Sequence, residues 1–174
     1  MLSFAQVASH TQITADQYLR MTFEHEAEFV HGDIVERSMP DYIHARLQIV
    51  LGFLFESLRL KYSLFACAEL RLQVAPDVFR IPDVSVIAGV PPSQAVPDRP
   101  PLVVIEILSK DDRHSGVMQK LEEYRTWGVP NIWVVDPALQ RFSIYSERGL
   151  QNVTSFSLVN FPFQLSPQEL FSQL

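Results

Sequence analysis

The chain has 174 residues, 47% hydrophobic and 20% charged, which is enough for one domain with a sizeable core and is typical of soluble globular proteins. The net charge of −6 disfavours a protein that coats nucleic acid, but it allows an acidic metal site, because a bound cation reverses the local charge. The single cysteine, Cys67, excludes an internal disulfide and a cysteine-based zinc site, so we expect a cytoplasmic protein. No apolar run approaches the ~20 residues that cross a bilayer, and the first residues lack the pattern of a signal peptide, so we expect no membrane association.

The N-terminal part predicts an arm, a short helix and a hairpin. We expect residues 1–13 to form a loose arm and residues 14–174 to form a single domain. Thr14 is the predicted N-cap of a helix over residues 15–21. Residues 28–37 hold two short apolar runs around a His-Gly-Asp turn, which predicts a β-hairpin.

The strongest helical pattern follows. Asp41 is a predicted cap for a helix over residues 42–61, in which apolar residues recur at helical spacing. These residues are Ile43, Leu47, Val50, Leu51, Leu54, Phe55 and Leu58. Alternating apolar residues then predict one strand over residues 63–74, and a Pro-Asp turn separates it from a second strand over residues 80–88.

The middle of the chain predicts a central strand and a helix. Residues 89–101 are rich in proline, which predicts an exposed extended loop. Residues 102–108 form a short, almost continuously apolar run, which is typical of a strand covered on both faces. A polar loop over residues 109–115 leads to a helix over residues 117–127, with Gly128 as its predicted C-cap.

The C-terminal part predicts three strands and a terminal helix. The strands cover residues 131–135, 141–146 and 152–158, and the helix covers residues 167–171 after Ser166. Together these elements predict one α/β domain with a mixed central sheet flanked by helices.

Two carboxylates within apolar strands are the first functional signal. Asp83 follows a proline near the start of one strand, and Glu106 lies inside the next. If these strands pair, both side chains converge at one end of the sheet, where carboxylate oxygens suit Mg²⁺ or Mn²⁺. Structural explanations stay open, since Asp83 could cap a turn and Glu106 could form a buried salt bridge with Arg71 or Arg80.

Further polar residues extend this pair. Lys120 and Tyr124 share one helix face, which could lean over the carboxylates, although a solvated lysine paired with Glu123 and a packed tyrosine are the simpler explanations. Glu69 could supply another ligand or could be ordinary strand polarity. His44 could act as a general base, or it could lie at the helix start as a capping or surface residue.

The order of these motifs resembles a known superfamily. Pro82-Asp83, then Glu106-Ile107-Leu108, then a helical Lys120 resembles the PD-(D/E)XK nucleases. The hairpin over residues 28–36 and the segment over residues 124–137, which contains Trp-Val-Val-Asp-Pro, are similar to the Uma2 branch of restriction endonucleases.

The resemblance implies a restriction-endonuclease-like fold, a mixed sheet with helices on both faces. It implies Asp83 and Glu106 as metal ligands and Glu28 as a residue that faces the site. The chain departs from the superfamily pattern at Leu108, where the classical motif has its lysine. In the Uma2 branch a lysine on the following helix takes that place, and Lys120 matches it.

The second departure is Gly116, where an acidic residue often precedes the helical lysine by four positions. We therefore interpret the chain as a metal-dependent endonuclease acting on DNA. Asp83 and Glu106 would hold Mg²⁺ or Mn²⁺, and Lys120 would position the attacking water. Two alternatives stay open: a catalytically weak or inactive binding module with the same fold, and a structural protein whose carboxylates are only salt-bridged.

A homodimer is also expected, because the long helix and several aromatic residues offer more apolar surface than one core requires. These aromatic residues are Trp127, Trp133, Phe156, Phe161, Phe163 and Phe171. Two-fold symmetry would also suit cleavage of both DNA strands. Packing of the aromatic tail onto its own domain explains the same residues equally well.

Overall fold

A computed structural model of the chain describes residues 12–110 and 112–174. Residues 1–11 of the predicted arm lie outside the described residues, and the division into an arm and one domain stays a prediction. The helices are α1 (Ala15–Arg20), α2 (Tyr42–Glu56), α3 (Arg59–Tyr62), α4 (His114–Trp127) and α5 (Pro167–Phe171). The strands are β1 (Ala27–Val30), β2 (Asp33–Glu36), β3 (Leu64–Ala68), β4 (Leu72–Ala75), β5 (Val78–Arg80), β6 (Val84–Ala88), β7 (Val103–Ile107), β8 (Asn131–Asp136), β9 (Arg141–Ser146), β10 (Gly149–Val153), β11 (Phe156–Ser157) and β12 (Gln164–Leu165).

A six-stranded mixed sheet forms the centre of the molecule, in the order β10-β9-β8-β7-β6-β3. Only the β7–β8 pair within this sheet is parallel. Every residue of β7 is buried, as the continuous apolar run predicts. Ile105 packs into the core under α2, whereas Val104 packs against α4. The predicted α/β fold with a mixed central sheet between helices is therefore confirmed.

A second, antiparallel sheet in the order β2-β1-β5-β4 corrects two predicted strands. The predicted strand over residues 63–74 divides at Glu69, whose φ of 50° turns the chain out of β3 and towards β4 in the other sheet. The predicted strand over residues 80–88 divides at Ile81-Pro82-Asp83, where the chain crosses back. Proline has no N–H for the ladder, so it suits this crossing. The two crossings lie side by side, since the Glu69 N–H donates to the Asp83 carbonyl at 3.2 Å.

The helix boundaries agree with the sequence at most ends. Thr14 and Asp41 cap α1 and α2 as predicted, and Gly128 ends α4 with a φ of 102°. The predicted helix over residues 42–61 is interrupted, because a turn at Ser57 and the following residue separates α2 from α3. Helix α4 begins at His114, earlier than predicted, and no capping side chain marks that start.

The C-terminal region packs onto the same core. The predicted strand over residues 152–158 is two strands. Pairing of β10 with β9 begins at Gly149, directly after a tight turn, and residues 154–155 separate β10 from β11. The Trp133 ring stacks on Phe156 with 4.4 Å between centroids, and Phe163 stacks on Phe55 at 4.2 Å. These buried rings belong to the core and not to a surface, so the aromatic tail covers its own domain. Among the described residues, no helix is long and apolar enough to cross a membrane.

Candidate active site

The corner between β5 and β6 places Asp83 beside Glu106. Val84 of β6 pairs with Ile105 of β7 in an antiparallel ladder, so the next position along this register sets Asp83 opposite Glu106. The Asp83 Oδ2 atom accepts the Ile107 N–H at 2.6 Å. Asp83 is 3% exposed and lies one position before Val84, the first paired residue of β6. The structure thus brings the two predicted carboxylates to the same end of the sheet.

Glu106 points towards α4, because its neighbours Ile105 and Ile107 point towards the opposite face. Lys120 Nζ lies 3.0 Å from Glu106 Oε2, and the Tyr124 hydroxyl donates to Glu106 Oε1 at 2.8 Å. Lys120 is therefore not a solvated residue paired with its helical neighbour, and Tyr124 does more than pack. The spacing of four residues places both groups over one carboxylate.

Glu28 reaches the same lysine from the second sheet. Lys120 Nζ lies 2.8 Å from Glu28 Oε1, which also accepts the Ile81 N–H at 2.8 Å. The ammonium therefore bridges Glu28 and Glu106, which come from different sheets. This contact depends on the chain crossing at residues 81–83, since the crossing brings the edge of β5 against the end of β7.

Arg80 links Glu28 to helix α4. Its Nη1 atom donates to Glu28 Oε2 at 2.8 Å, and its other nitrogens bind both oxygens of Glu123 on α4 at 2.6 and 3.0 Å. The salt bridge between Glu106 and Arg71 or Arg80, which the sequence left open, is wrong. Arg80 binds Glu28 and Glu123, and Arg71 binds Glu26 at 3.3 Å. We call the set of Glu28, Arg80, Glu106, Lys120 and Tyr124 the inner cluster.

A second set of residues surrounds the other side of Asp83. Arg37 Nη2 lies 2.6 Å from Asp83 Oδ1, and His44 Nε2 lies 3.1 Å from the same oxygen. Arg37 Nη1 also lies 3.3 Å from Glu69 Oε1, which accepts from Gln48 at 3.3 Å. We call the set of Arg37, His44, Gln48 and Glu69 the outer cluster.

The outer cluster changes two expectations. The His44 side chain is only 12% exposed and reaches Asp83, so it is not a surface residue, and its Nδ1 atom has no partner among the described residues. Glu69 lies at a turn and not within a strand. Sequence reasoning did not single out Arg37, because an arginine at the last residue of a predicted hairpin carries no periodic signal. Its only hint is that it lies close to a hairpin glutamate, Glu28, that the resemblance places at the site.

The inner cluster changes the protonation of its members. Burial opposes the charged form of Lys120, but the carboxylates of Glu106, Glu28 and Asp83 outweigh it and raise the pKa of the ammonium. Burial raises the pKa of Glu106 to about 7, and the Asp83 and Glu28 carboxylates add to this effect against the attraction of Lys120. Lys120 thus remains protonated near neutral pH, whereas Glu106 lies close to its titration midpoint.

The two other carboxylates remain ionised. Burial works against the charged form of Asp83, but His44, Lys120 and Arg37 outweigh it and lower the Asp83 pKa. The pKa of Glu28 is also lowered, since Lys120 and Arg80 outweigh its burial. Arg80 also compensates Glu28, and Arg37 compensates Asp83, whereas the ion pair of Glu106 is with Lys120, which Glu28 shares, so Glu106 is the carboxylate that most readily takes up a proton.

Both clusters open into one cleft of about 430 Å³. Its walls include Arg37, His44, Asp83, Glu106 and Lys120, together with the start of α4. Within the described part of the chain, no group of three or more His, Cys, Asp or Glu side chains has the arrangement of a metal site. The seven residues singled out from the sequence are Asp83 and members of the two clusters. Arg37 lies between the side chains of Glu69 and Asp83.

The mixed sheet between helices, with the acidic pair and the lysine at one end of its central strands, defines a mixed α/β protein with a candidate active site at that end. The family model described as "Putative restriction endonuclease", Uma2, matches residues 15–174, so the chain belongs to that family. The chain is also similar to a crystal structure from Anabaena variabilis, described as "a putative nuclease belonging to DUF820". The two share 25% sequence identity and a TM-score of 0.79, over 92% of this chain and 98% of the other. A comparison with curated proteins gave no match.

Proposed function

We propose that the protein is a metal-dependent endonuclease that hydrolyses phosphodiester bonds in DNA. The observation that carries the proposal is the Lys120 ammonium, which lies 2.8 Å from Glu28 and 3.0 Å from Glu106, next to Asp83 on the neighbouring strand. Such a set offers an acidic site for a cation and a fixed positive charge for a phosphate, which are the two requirements of phosphoryl transfer. Membership of the Uma2 family supports this class of reaction.

The donor chemistry around the cleft fits a hard divalent cation. Asp83 and Glu106 would hold Mg²⁺ or Mn²⁺ through carboxylate oxygens, with backbone carbonyls and water completing the shell. When bound, such an ion lowers the pKa of a coordinated water and neutralises charge on the phosphate. The net charge also favours a cation, since five carboxylates of the region face three Lys or Arg side chains. These are Glu28, Glu69, Asp83, Glu106 and Glu123 against Arg37, Arg80 and Lys120.

The protonated state of Lys120 limits its role. Because the surrounding carboxylates raise its pKa, the ammonium donates hydrogen bonds and does not act as a general base near neutral pH. We assign it to orienting the attacking water and to offsetting charge on the phosphate. Tyr124 orients Glu106 through its hydroxyl, and Glu28 holds the ammonium in place with the support of Arg80.

The test is cleavage of plasmid and linear duplex DNA in the presence of Mg²⁺ or Mn²⁺. We expect Asp83→Ala and Glu106→Ala each to reduce the rate by at least ~100-fold, because each removes a proposed ligand of the ion. Glu147→Ala is the matched control, since it deletes an exposed carboxylate in the β9–β10 turn. Unchanged cleavage by both site variants would refute the assignment.

A second candidate function is a binding module with the same fold and no hydrolytic activity. The specific observation in its favour is that Arg37 and His44 both contact Asp83 Oδ1, an oxygen that a metal ligand has to offer. Leu108, at the position where the classical motif has its lysine, also favours the binding module. Calorimetric titration with Mn²⁺ separates the two candidates. A metal-dependent enzyme should give a binding heat that the Asp83→Ala substitution abolishes. A module without a metal site should give no binding heat in either protein.

A further inference from the structure

The outward face of α2 carries an apolar stripe that continues onto α3. The stripe consists of Tyr42, Ile49, Phe53 and Leu60, whose exposed fractions are 72%, 64%, 70% and 89%. The last three follow the first by 7, 11 and 18 residues, which are close to whole numbers of helical turns. Tyr42, Ile49 and Phe53 share one face of α2, and the exposed Leu60 follows in α3 after the turn at Ser57 and Leu58, which both have right-handed backbone angles.

The stripe is large for a surface that meets only water. Side chains of this size present on the order of 150–200 Å² when fully accessible, so the stripe exposes roughly 500 Å² of apolar area. Soluble proteins use patches of this size for contacts. Two such stripes together remove roughly 1,000 Å² from water, and with bordering residues they reach the ~1,200–2,000 Å² of a stable interface.

The order of residues along the stripe is symmetric about position 51. Ile49 and Phe53 lie two residues to either side of it, and Tyr42 and Leu60 lie nine residues to either side. If two copies of this helix run antiparallel about a two-fold axis at position 51, Phe53 packs on Ile49 of the second copy. Each aromatic ring then meets an aliphatic side chain, so a second copy of this chain complements the stripe.

Gly52 lies beside the centre of this symmetry. A glycine within a helix costs about 1 kcal/mol relative to alanine, so it needs a reason. Packing among the described residues gives none, because beyond its chain neighbours and its own helix backbone no atom lies within 4 Å of a Cβ placed on Gly52. Gly52 projects about 80° round the helix from the mean direction of the stripe, so its missing side chain leaves room beside the contact for the flanking side chains of a second helix.

The charges beside the stripe favour an apolar partner. Glu56 forms an ion pair with Arg59 of its own chain, and Arg46 donates to the Gln173 carbonyl at 3.3 Å. These side chains therefore already have partners within their own chain, and the stripe itself carries no cation that would attract DNA or an anionic membrane.

We infer that the stripe is the contact surface of a homodimer in which the two α2 helices cross antiparallel about a two-fold axis. The inference rests on the surface alone and does not depend on nuclease activity. The N-terminal turn of α2 carries His44 of the outer cluster, so this contact relates the two clefts by the same symmetry.

Light scattering after size exclusion tests the surface. We expect the wild-type protein at ~10–100 µM to have the mass of two chains, and Phe53→Glu to weaken association by roughly 100-fold, because it sets two carboxylates in an apolar contact. Leu139→Glu, at an exposed position in the β8–β9 turn, is the matched control and stays dimeric. A wild-type protein with the mass of one chain, or a dimeric Phe53→Glu variant, overturns the inference.

Cross-linking tests the antiparallel geometry in variants whose only thiol is introduced, in a Cys67→Ser background. Gly52→Cys lies next to the proposed axis, so a short bismaleimide should join two copies through it. Leu139→Cys should give no covalent dimer under the same conditions. Equal yields from the two positions, or none from Gly52→Cys, contradict the proposed crossing.

Discussion

The two clusters on either side of Asp83 differ in how completely their charges are buried. In the inner cluster the side chains of Glu28, Arg80 and Glu106 are each at most 10% exposed, and Lys120, whose side chain is 13% exposed, bridges carboxylates from two sheets. In the outer cluster Arg37 is 17% exposed at its side chain and contacts Glu69, which is 37% exposed. The inner cluster is therefore the more deeply buried set of charges, and the outer cluster is the more accessible side of Asp83.

This difference has an energetic meaning. A buried ion pair contributes little net stability, but removing one of its partners leaves an uncompensated charge that water cannot reach. The same change at a partly exposed pair is screened and costs less. Substitutions of one cation in each cluster therefore measure the contrast directly, and the titration of Glu106 measures how strongly burial and the neighbouring carboxylates oppose its charged form.

The largest effect is expected for Lys120→Met. Methionine keeps the unbranched shape but removes the ammonium shared by Glu28 and Glu106, so we expect a loss of about 3–5 kcal/mol in the free energy of unfolding. Urea unfolding at pH 8 is the measurement, because Glu106 is ionised there. Lys61→Met removes an exposed lysine of α3 and should change little. A loss below ~1 kcal/mol would contradict the view of Lys120 as the central counter-charge.

A smaller effect is expected from the titration of Glu106. Its pKa rises from an ordinary value of 4.5 to about 7 on folding, mainly through burial and then through Asp83 and Glu28. The folded state therefore binds the proton more tightly, so this group stabilises the protein below pH 4.5 and loses that contribution as the pH rises to about 7. Relative to Glu106→Gln, which does not titrate, the wild-type unfolding free energy should fall by on the order of 3 kcal/mol across this window.

Urea unfolding of both proteins in EDTA at pH 5 and pH 8 measures this difference, because subtracting the variant cancels the titration of His44. The raised pKa of His44 acts in the same direction, so the wild-type curve alone would overstate the contribution of Glu106. A constant difference between the two proteins would show that the Glu106 carboxyl keeps its ordinary pKa.

The two clusters also differ in how far the sequence predicts them. Glu106 is visible because it interrupts an apolar run, and the four-residue spacing of Lys120 and Tyr124 places both on one helix face. These signals are local, and the structure brings the three residues together. Glu28 lies in the other sheet, far from Glu106 in sequence, so only the family resemblance indicates that it belongs to the site.

The chain crossings could not be predicted in the same way. Apolar alternation continues through Glu69 and through the segment before Asp83, because both sheets impose the same two-residue period on the chain. The turn at Glu69 uses a positive φ without a glycine to mark it. The contacts of Arg37 depend on these crossings, since the crossings place Glu69 beside Asp83. Sequence patterns offer His44 and Glu69 as candidates but reveal neither Arg37 nor the contacts that join the outer cluster.

The smallest effect is expected for Arg37→Met. The variant removes one cation from Asp83, but Asp83 keeps the Ile107 N–H at 2.6 Å and His44 at 3.1 Å, and the affected Glu69 is partly hydrated. We therefore expect a loss of about 1–2 kcal/mol in the free energy of unfolding, clearly below that of Lys120→Met under identical conditions. Arg113→Met, at an exposed position on the wall of the same cleft, is the matched control and should have little effect. If Arg37→Met costs as much as Lys120→Met, the outer cluster is as rigid a support as the inner one, and the accessible side of Asp83 must be sought elsewhere in the cleft.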